Sequence, residues 1–365
     1  MNKRTGIISG AIGVVGIAAT TASAVVAVER RHARRRALRA AETRRFDHLP
    51  VDRAGSVTAS DGTALYYEQV GPSAAPLTVV FVHGYTLRLG SFHFQRQALQ
   101  EYFGDRIRMI FYDQRGHGRS GRSDPQHATI AQLGDDLYAL ITDLVPRGPI
   151  ALIGHSMGGM TIMGLADRHP ELFTGKAAHV VAVALLSTST GKLAAVTFGL
   201  PALLAKLRGP LLPVLLRGAR RQATWVERGR VIGTDLAWVI IRRMSFASSD
   251  INPATVEYLT SMIAATPIEA IADFYSAIMD HDKLAALDRL RDIPVLVMCG
   301  DKDLLTPSRH SEAIAEALPK AELVVVPDGG HVALMEHPDV FSGALERFID
   351  VALAGASSKR RRRPA

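Results

Sequence analysis

From about residue 77 the chain alternates between two patterns. Short, largely apolar runs at 77–82, 107–112, 150–153, 179–186, 293–298 and 322–326 predict the strands of a sheet covered on both faces. Segments at 91–102, 130–144, 157–168, 308–318 and 340–353 lie between or after them and predict helices. Ahead of the series, 57–59 and 64–70 flank Asp61-Gly62, a tight-turn dipeptide, and predict an opening hairpin. Apolar strands alternating with helices imply an α/β fold: a mostly parallel central sheet of about eight strands with helices on both faces.

The alternation breaks between 189 and about 291, where a hundred residues have helical character. This predicts a helical insertion, 190–291, after the sixth strand, with core parts at 51–189 and 292–354. Within it, 198–216 is unusually apolar and is interrupted by Pro201, Pro210 and Pro213. It carries Lys206 and Arg208, with Arg217, Arg220 and Arg221 just beyond. Two readings stand side by side: a surface that rests on a membrane, or a cap helix that covers a pocket. No internal repeat is visible, and low complexity is confined to the ends.

Length and charge refine this picture. A chain of 365 residues, 47% hydrophobic, can bury a large core, and one domain with an insertion suits it better than two equal domains. The net charge of +8 invites a nucleic-acid partner, but its distribution argues against one. Residues 1–50 carry +7 and the tail within 355–365 carries +5, whereas 51–356 holds 28 basic and 32 acidic residues. The expected globular part is mildly acidic, and basic ends of this kind seek anionic lipid or stay solvated. A single cysteine, Cys299, excludes an intrachain disulfide and a cysteine metal cluster; its apolar surroundings predict a small buried core residue.

The first 50 residues form a separate segment. Positions 6–28 are uncharged over 23 residues, about 34 Å as a helix at ~1.5 Å per residue, enough to span a bilayer. Lys3 and Arg4 before the run and Ala22-Ser23-Ala24 near its end fit a cleavable signal, with export. Arg30, Arg31, Arg34, Arg35 and Arg36 follow at once and oppose translocation. The expectation is a single membrane anchor with a basic linker and the globular domain on the cytoplasmic side; the cleaved signal is the alternative.

Chemistry concentrates at Gly154-His155-Ser156-Met157-Gly158, directly after an apolar run. Glycines two residues either side of Ser156 remove the Cβ atoms that would collide in a very tight strand-to-helix turn. A serine hydroxyl is a poor nucleophile until an imidazole accepts its proton, and the imidazole needs a carboxylate to hold its tautomer. Further marks are His83-Gly84-Tyr85, Asp113-Gln114-Arg115-Gly116-His117-Gly118-Arg119-Ser120, Gly300-Asp301-Lys302-Asp303 and Gly329-Gly330-His331. Each falls at the end of a predicted strand or in the loop after it. Gly116 and Gly118 resemble half a phosphate loop, but no Gly-Lys-Ser/Thr follows, so no nucleotide site is expected.

With these five marks in order, the chain from about Val51 to Ala354 resembles a serine hydrolase of the α/β-hydrolase superfamily with a helical cap, of the esterase/lipase and haloperoxidase-like branch. The resemblance implies a triad in the chain order Ser156, Asp303, His331. The family pattern Gly-x-x-Asp selects Asp303, with Thr306-Pro307 following, and leaves Asp301 to cap the turn. Some relatives take the acid from the loop after the sixth strand; here that loop, 187–191, offers no carboxylate. The oxyanion donors implied are the amides of Met157 and Tyr85. His83, Asp113 and Arg115 are expected to fix neighbouring turns, and His155 to pack.

The implied reaction is hydrolysis of a carboxylic ester, of a lipid or other small apolar acyl substrate, through an acyl-enzyme, with no cofactor and no metal. A serine at the elbow sets the chain apart from relatives that open epoxides or displace halide, which carry an aspartate there. The same triad would serve a cofactor-free perhydrolase or a carbon–carbon bond hydrolase. A different class, a non-catalytic membrane-anchored binding protein, is opposed by the intact triad.

Overall fold

In the computed structural model, described residues are 46, 49–175, 178–197 and 234–361. By its internal contacts the chain divides into Met1–His48 and Leu49–Ala365; apart from Phe46, the described residues belong to the second unit. The expected anchor at 6–28 and the apolar segment at 198–216 lie outside the described residues. Among the described residues no single helix is long and apolar enough to cross a membrane.

The strands are β1 (Arg53–Thr58), β2 (Ala64–Val70), β3 (Thr78–Val82), β4 (Arg108–Tyr112), β5 (Ile150–His155), β6 (Val180–Leu186), β7 (Val295–Gly300) and β8 (Glu322–Val326). They form one sheet in the order β1-β2-β4-β3-β5-β6-β7-β8. β2 pairs antiparallel with both β1 and β4, and every later pairing is parallel. All residues of β3 to β7 are buried, as the continuous apolar runs require, while edge strand β8 is largely exposed. β3 is flanked by β4 on one side and β5 on the other. The chain therefore reverses direction across the sheet at β3, and a crevice opens beyond the carboxyl ends of β3 and β5.

Helices α1 (His93–Phe103), α2 (Ile130–Leu144) and α3 (Met157–Arg168) follow β3, β4 and β5. Among the described residues, three helices, α4 (Thr234–Ser245), α5 (Pro253–Ala265) and α6 (Ile268–Met279), then lie between β6 and β7. α7 (Arg309–Ala317), the short α8 (Ala333–Glu336) and α9 (Pro338–Arg361) complete the chain. α5 and α6 meet at 94° across Thr266-Pro267. The main core packs α2, α3 and the sheet around residues such as Leu137, Leu152, Ile162 and Leu185; Leu287 and Leu290, just before β7, join it. A second cluster puts Phe274 and Ile278 of α6 against Met157 and Met160 of α3 and Leu133 of α2. The cap thus rests directly on the first turn of the helix that follows the serine. At about 1.5–3 kcal/mol for each large apolar side chain buried, this contact is a substantial part of what seats it.

Several element bounds move from the sequence expectation, each for a local reason. The strand expected at 293–298 begins at Val295, after Pro294, which has no N–H to give to a ladder. The helix expected from 91 is preceded by a 3₁₀ turn, Leu89–Phe92, whose Leu89 N–H is held by Asp113 Oδ1 at 2.7 Å. β5 continues past residue 153 to His155, where it pairs with Leu186 of β6.

Candidate active site

β5 ends at His155 and α3 begins at Met157, so Ser156 alone makes the turn. Its backbone sits at φ 52° and ψ −117°. A non-glycine residue in so sparsely populated a region costs roughly 1–3 kcal/mol and persists only where its surroundings hold it. A Cβ on Gly154 would lie 2.6 Å from the Gly158 carbonyl oxygen, and one on Gly158 would lie 2.0 Å from that of Val82. Both positions therefore require glycine. The turn is tied down by the Ser156 N–H, which donates to Leu186 O at 2.9 Å, and by Thr188 Oγ1, which donates to Ser156 O at 2.7 Å.

The structure brings three predicted residues together. His331 Nε2 lies 3.0 Å from Ser156 Oγ, and His331 Nδ1 lies 2.9 Å from Asp303 Oδ2. Asp303 is 3% exposed, so no bulk water competes for its carboxylate. Its Oδ1 accepts from the amides of Leu305 and Thr306 at 2.8 and 2.9 Å, and its Oδ2 accepts from Thr306 Oγ1 at 2.8 Å. Burial pushes this carboxyl's pKa up, but the charge of His331 and the hydrogen bonds from His331 and Thr306 outweigh it and hold the pKa below its ordinary value. An ionised Asp303 accepts the His331 Nδ1–H, which leaves the Nε2 lone pair facing the serine hydroxyl.

The loop after β3 supplies the other wall. His83 is fully buried and neutral: burial lowers its pKa to about 4, against a raising effect of its bond to Gly84. Its Nδ1–H donates to Gly84 O at 2.8 Å and its Nε2 accepts from the Gln114 N–H at 2.9 Å. Gln114 in turn accepts from Thr161 Oγ1 on α3 at 2.7 Å. The loop is thus locked to the same helix that presents Ser156. Among the described hydrogen bonds, neither the Tyr85 nor the Met157 N–H donates to a protein acceptor. Met157 is the first residue of α3, where a free N–H and the positive end of the helix dipole coincide.

Other expectations are altered. His155, expected only to pack, donates its Nε2–H to His331 O at 3.0 Å and so fixes the loop that carries the candidate base. Burial, then the neighbouring His331 charge, lowers the His155 pKa to about 3, so the ring stays neutral. Asp301, expected to cap its turn, has an exposed carboxylate with Lys302 Nζ at 3.8 Å; it is the Asp301 N–H that bonds, to Val326 O. Gly330, beside the candidate base, is not in a left-handed conformation, yet a Cβ there would meet Ser245 O at 2.5 Å. Asp113 and Arg115 do fix turns. Asp113 accepts from Leu89 and Arg119 amides, and Arg115 is buried between Asp136 and Asp61. Cys299 is buried, as its surroundings implied.

Sequence reasoning missed Glu336. Its carboxylate accepts from Gly330 N at 2.7 Å and, across to the cap, from Ser248 N at 2.6 Å and Ala247 N at 3.0 Å. No motif marks it, because its partners are backbone amides from two distant segments. Beside the serine lies a cavity of about 240 Å³. Ser156 and His331 line it, together with the apolar Leu259, Ile263, Ile278 and Met279 of α5 and α6. Among the described residues no group of three His, Cys, Asp or Glu is placed to hold a metal ion.

Sheet order and site together define the class: a doubly covered α/β sheet that presents a serine on a strained turn at its switch point. A family model for the alpha/beta hydrolase fold matches residues 78–338, and the chain belongs to that family. The protein is an α/β hydrolase. It is 29% identical to a 3-oxoadipate enol-lactonase of Acinetobacter baylyi, over 82% of this chain and 97% of that protein. It is 28% identical to a non-heme haloperoxidase of Rhodococcus erythropolis, over 80% and 98% respectively. Among solved structures, a thermophilic esterase from Thermogutta terrifontis superimposes with a TM-score of 0.63 at 25% identity, covering 82% of this chain and 99% of that one.

Proposed function

We propose that the protein cleaves a carboxylic ester with an apolar acyl group through an acyl-enzyme on Ser156. His331 Nε2 takes the serine proton as Oγ adds to the carbonyl carbon. The oxyanion forms against the Met157 and Tyr85 amides. The imidazolium, held by Asp303, then protonates the leaving alcohol. Water, deprotonated by His331, attacks the acyl carbon, and Ser156 leaves as the hydroxyl. The observation that carries this reading is the continuous relay from Asp303 to His331 to Ser156, at 2.9 and 3.0 Å, opening on an apolar cavity. A series of p-nitrophenyl esters of graded chain length tests it. Turnover is expected with apolar acyl groups and is expected to disappear in Ser156→Ala, whose thermal midpoint stays close to that of the parent. Activity retained in that variant refutes the assignment.

A second reading within the same site is perhydrolysis, with hydrogen peroxide replacing water as the acceptor of the acyl group. The likeness to the haloperoxidase, nearly end to end for that protein, supports it. Acetate-dependent bromination measured beside ester hydrolysis separates the two. On the sequence pattern of residues 1–50 the proposal adds a membrane tether at 6–28, with the hydrolase domain cytoplasmic. Recovery of the full chain in the soluble fraction of its host would overturn the tether and leave the chemistry untouched.

A further inference from the structure

The loop that carries the Tyr85 amide is held from two sides. On the sheet side, His83 and Gln114 fix His83-Gly84, as described above. On the other side the cap holds it. Tyr85 Oη–H donates to the Ile271 carbonyl of α6. Thr266 Oγ1 donates to Thr86 O at 3.0 Å, and Tyr258 Oη of α5 donates to Gly90 O at 3.2 Å. Between these holds, Thr86 is driven to φ 60°. For a β-branched residue that conformation is a genuine outlier, and it persists only where contacts over-determine it. Thr266 is 2% exposed and sits at the elbow where α5 and α6 meet at 94°. The same two helices wall the cavity with Leu259, Ile263 and Ile278.

We infer that the Thr266 and Tyr85 hydroxyls are positioning residues: they brace the loop 84–88 against the cap elbow so that the Tyr85 amide points at the developing oxyanion. This rests on the serine-hydrolase reading above. A rigid donor counts only if it does not swing away as charge develops. Without the brace, Thr86 can relax to negative φ and the peptide before it rotates. An acyl chain pressing on α5 and α6 would then set the geometry of the oxyanion site through the same elbow.

Thr266→Val, Thr266→Ser and Tyr85→Phe in the full chain test this by two readouts, p-nitrophenyl butyrate kinetics and hydrogen exchange of the peptide spanning 83–90. Thr266→Val and Tyr85→Phe are expected to lower kcat by about 10- to 100-fold, short of the ~10²–10³ for outright loss of an oxyanion donor. KM should stay within about twofold, and exchange across 83–90 should speed up. Thr266→Ser, which keeps the hydroxyl, should restore both. Exchange unchanged in both loss variants overturns the brace, whether or not any ester is turned over. Faster exchange with undiminished kcat, or a serine variant as impaired as the valine one, overturns the positioning role. A parent enzyme that turns over no ester defeats the proposed function alone, and exchange still reads the brace.

Discussion

Replacing Asp303 by Asn probes the relay with almost no change of shape. Asp303 Oδ1 is committed to two backbone donors, the Leu305 and Thr306 amides, which cannot turn round. The new amide oxygen must therefore take that place, and the NH₂ group falls where Oδ2 stood, 2.9 Å from His331 Nδ1. Two donors cannot face each other, so the imidazole moves its proton to Nε2 and gives its Nδ1 lone pair to the new amide. Nε2 then carries a hydrogen where it must accept one from Ser156 Oγ, 3.0 Å away. The corresponding tautomer change in a serine-protease triad costs ~10⁴ in turnover, about 5 kcal/mol of barrier at ~1.4 kcal/mol per decade. Asp303 does not line the cavity, so KM should shift by no more than about threefold. Stopped-flow release of p-nitrophenol over pH 6–9, beside a thermal melt, reads both effects. An Asp303→Asn enzyme that keeps more than about a tenth of the parent's kcat would refute the reasoning.

Two predictions concern the scaffold. His83, His117, His155 and His281 are buried and neutral, and burial lowers their pKa values to about 4, 3, 3 and 4. In the unfolded chain they titrate near ~6.5, so below that pH the unfolded state binds more protons and stability falls with pH. The stabilisation is full above about pH 6.5 and is lost progressively towards pH 4, at up to about 5 kcal/mol per pH unit once all four count. The thermal midpoint should fall steeply from pH 6.5 to 5; a flat profile from pH 7.5 to 5 contradicts the assignment of neutral rings. Arg115→Met leaves Asp136, itself 1% exposed, without its guanidinium partner. Removing one member of a buried ion pair costs about 3–5 kcal/mol. Urea unfolding should register that loss, and a change under about 1 kcal/mol would show that the pair is dispensable.

The elements most legible in the sequence are those whose reason is local. Helices 130–144 and 157–168 and strand 322–326 occupy the residues their patterns predict. The glycines at 154 and 158 announce a turn that only a missing Cβ allows, and the structure gives the distances that enforce it. What the sequence could not reveal depends on partners distant along the chain. His155 looks like packing until the His331 carbonyl is seen 3.0 Å from its ring. Glu336 lies in a one-turn helix without a motif, yet three amides converge on it from the His331 loop and the cap. Thr266 carries no mark in the sequence; its bond to Thr86 spans 180 positions and exists only once the cap is seated. Periodicity also misplaces boundaries where a single group decides them, such as Pro294 before β7 or the Asp113 carboxylate at the 3₁₀ turn.

The central claim is that Ser156 is a nucleophile activated by His331. Its most direct test is a fluorophosphonate probe, with the modified peptide located by mass spectrometry. One adduct per chain is predicted, on the peptide containing Ser156, absent from Ser156→Ala and formed far more slowly in His331→Ala. A folded, monodisperse protein that remains unlabelled, or one that carries the probe on another residue, contradicts the account.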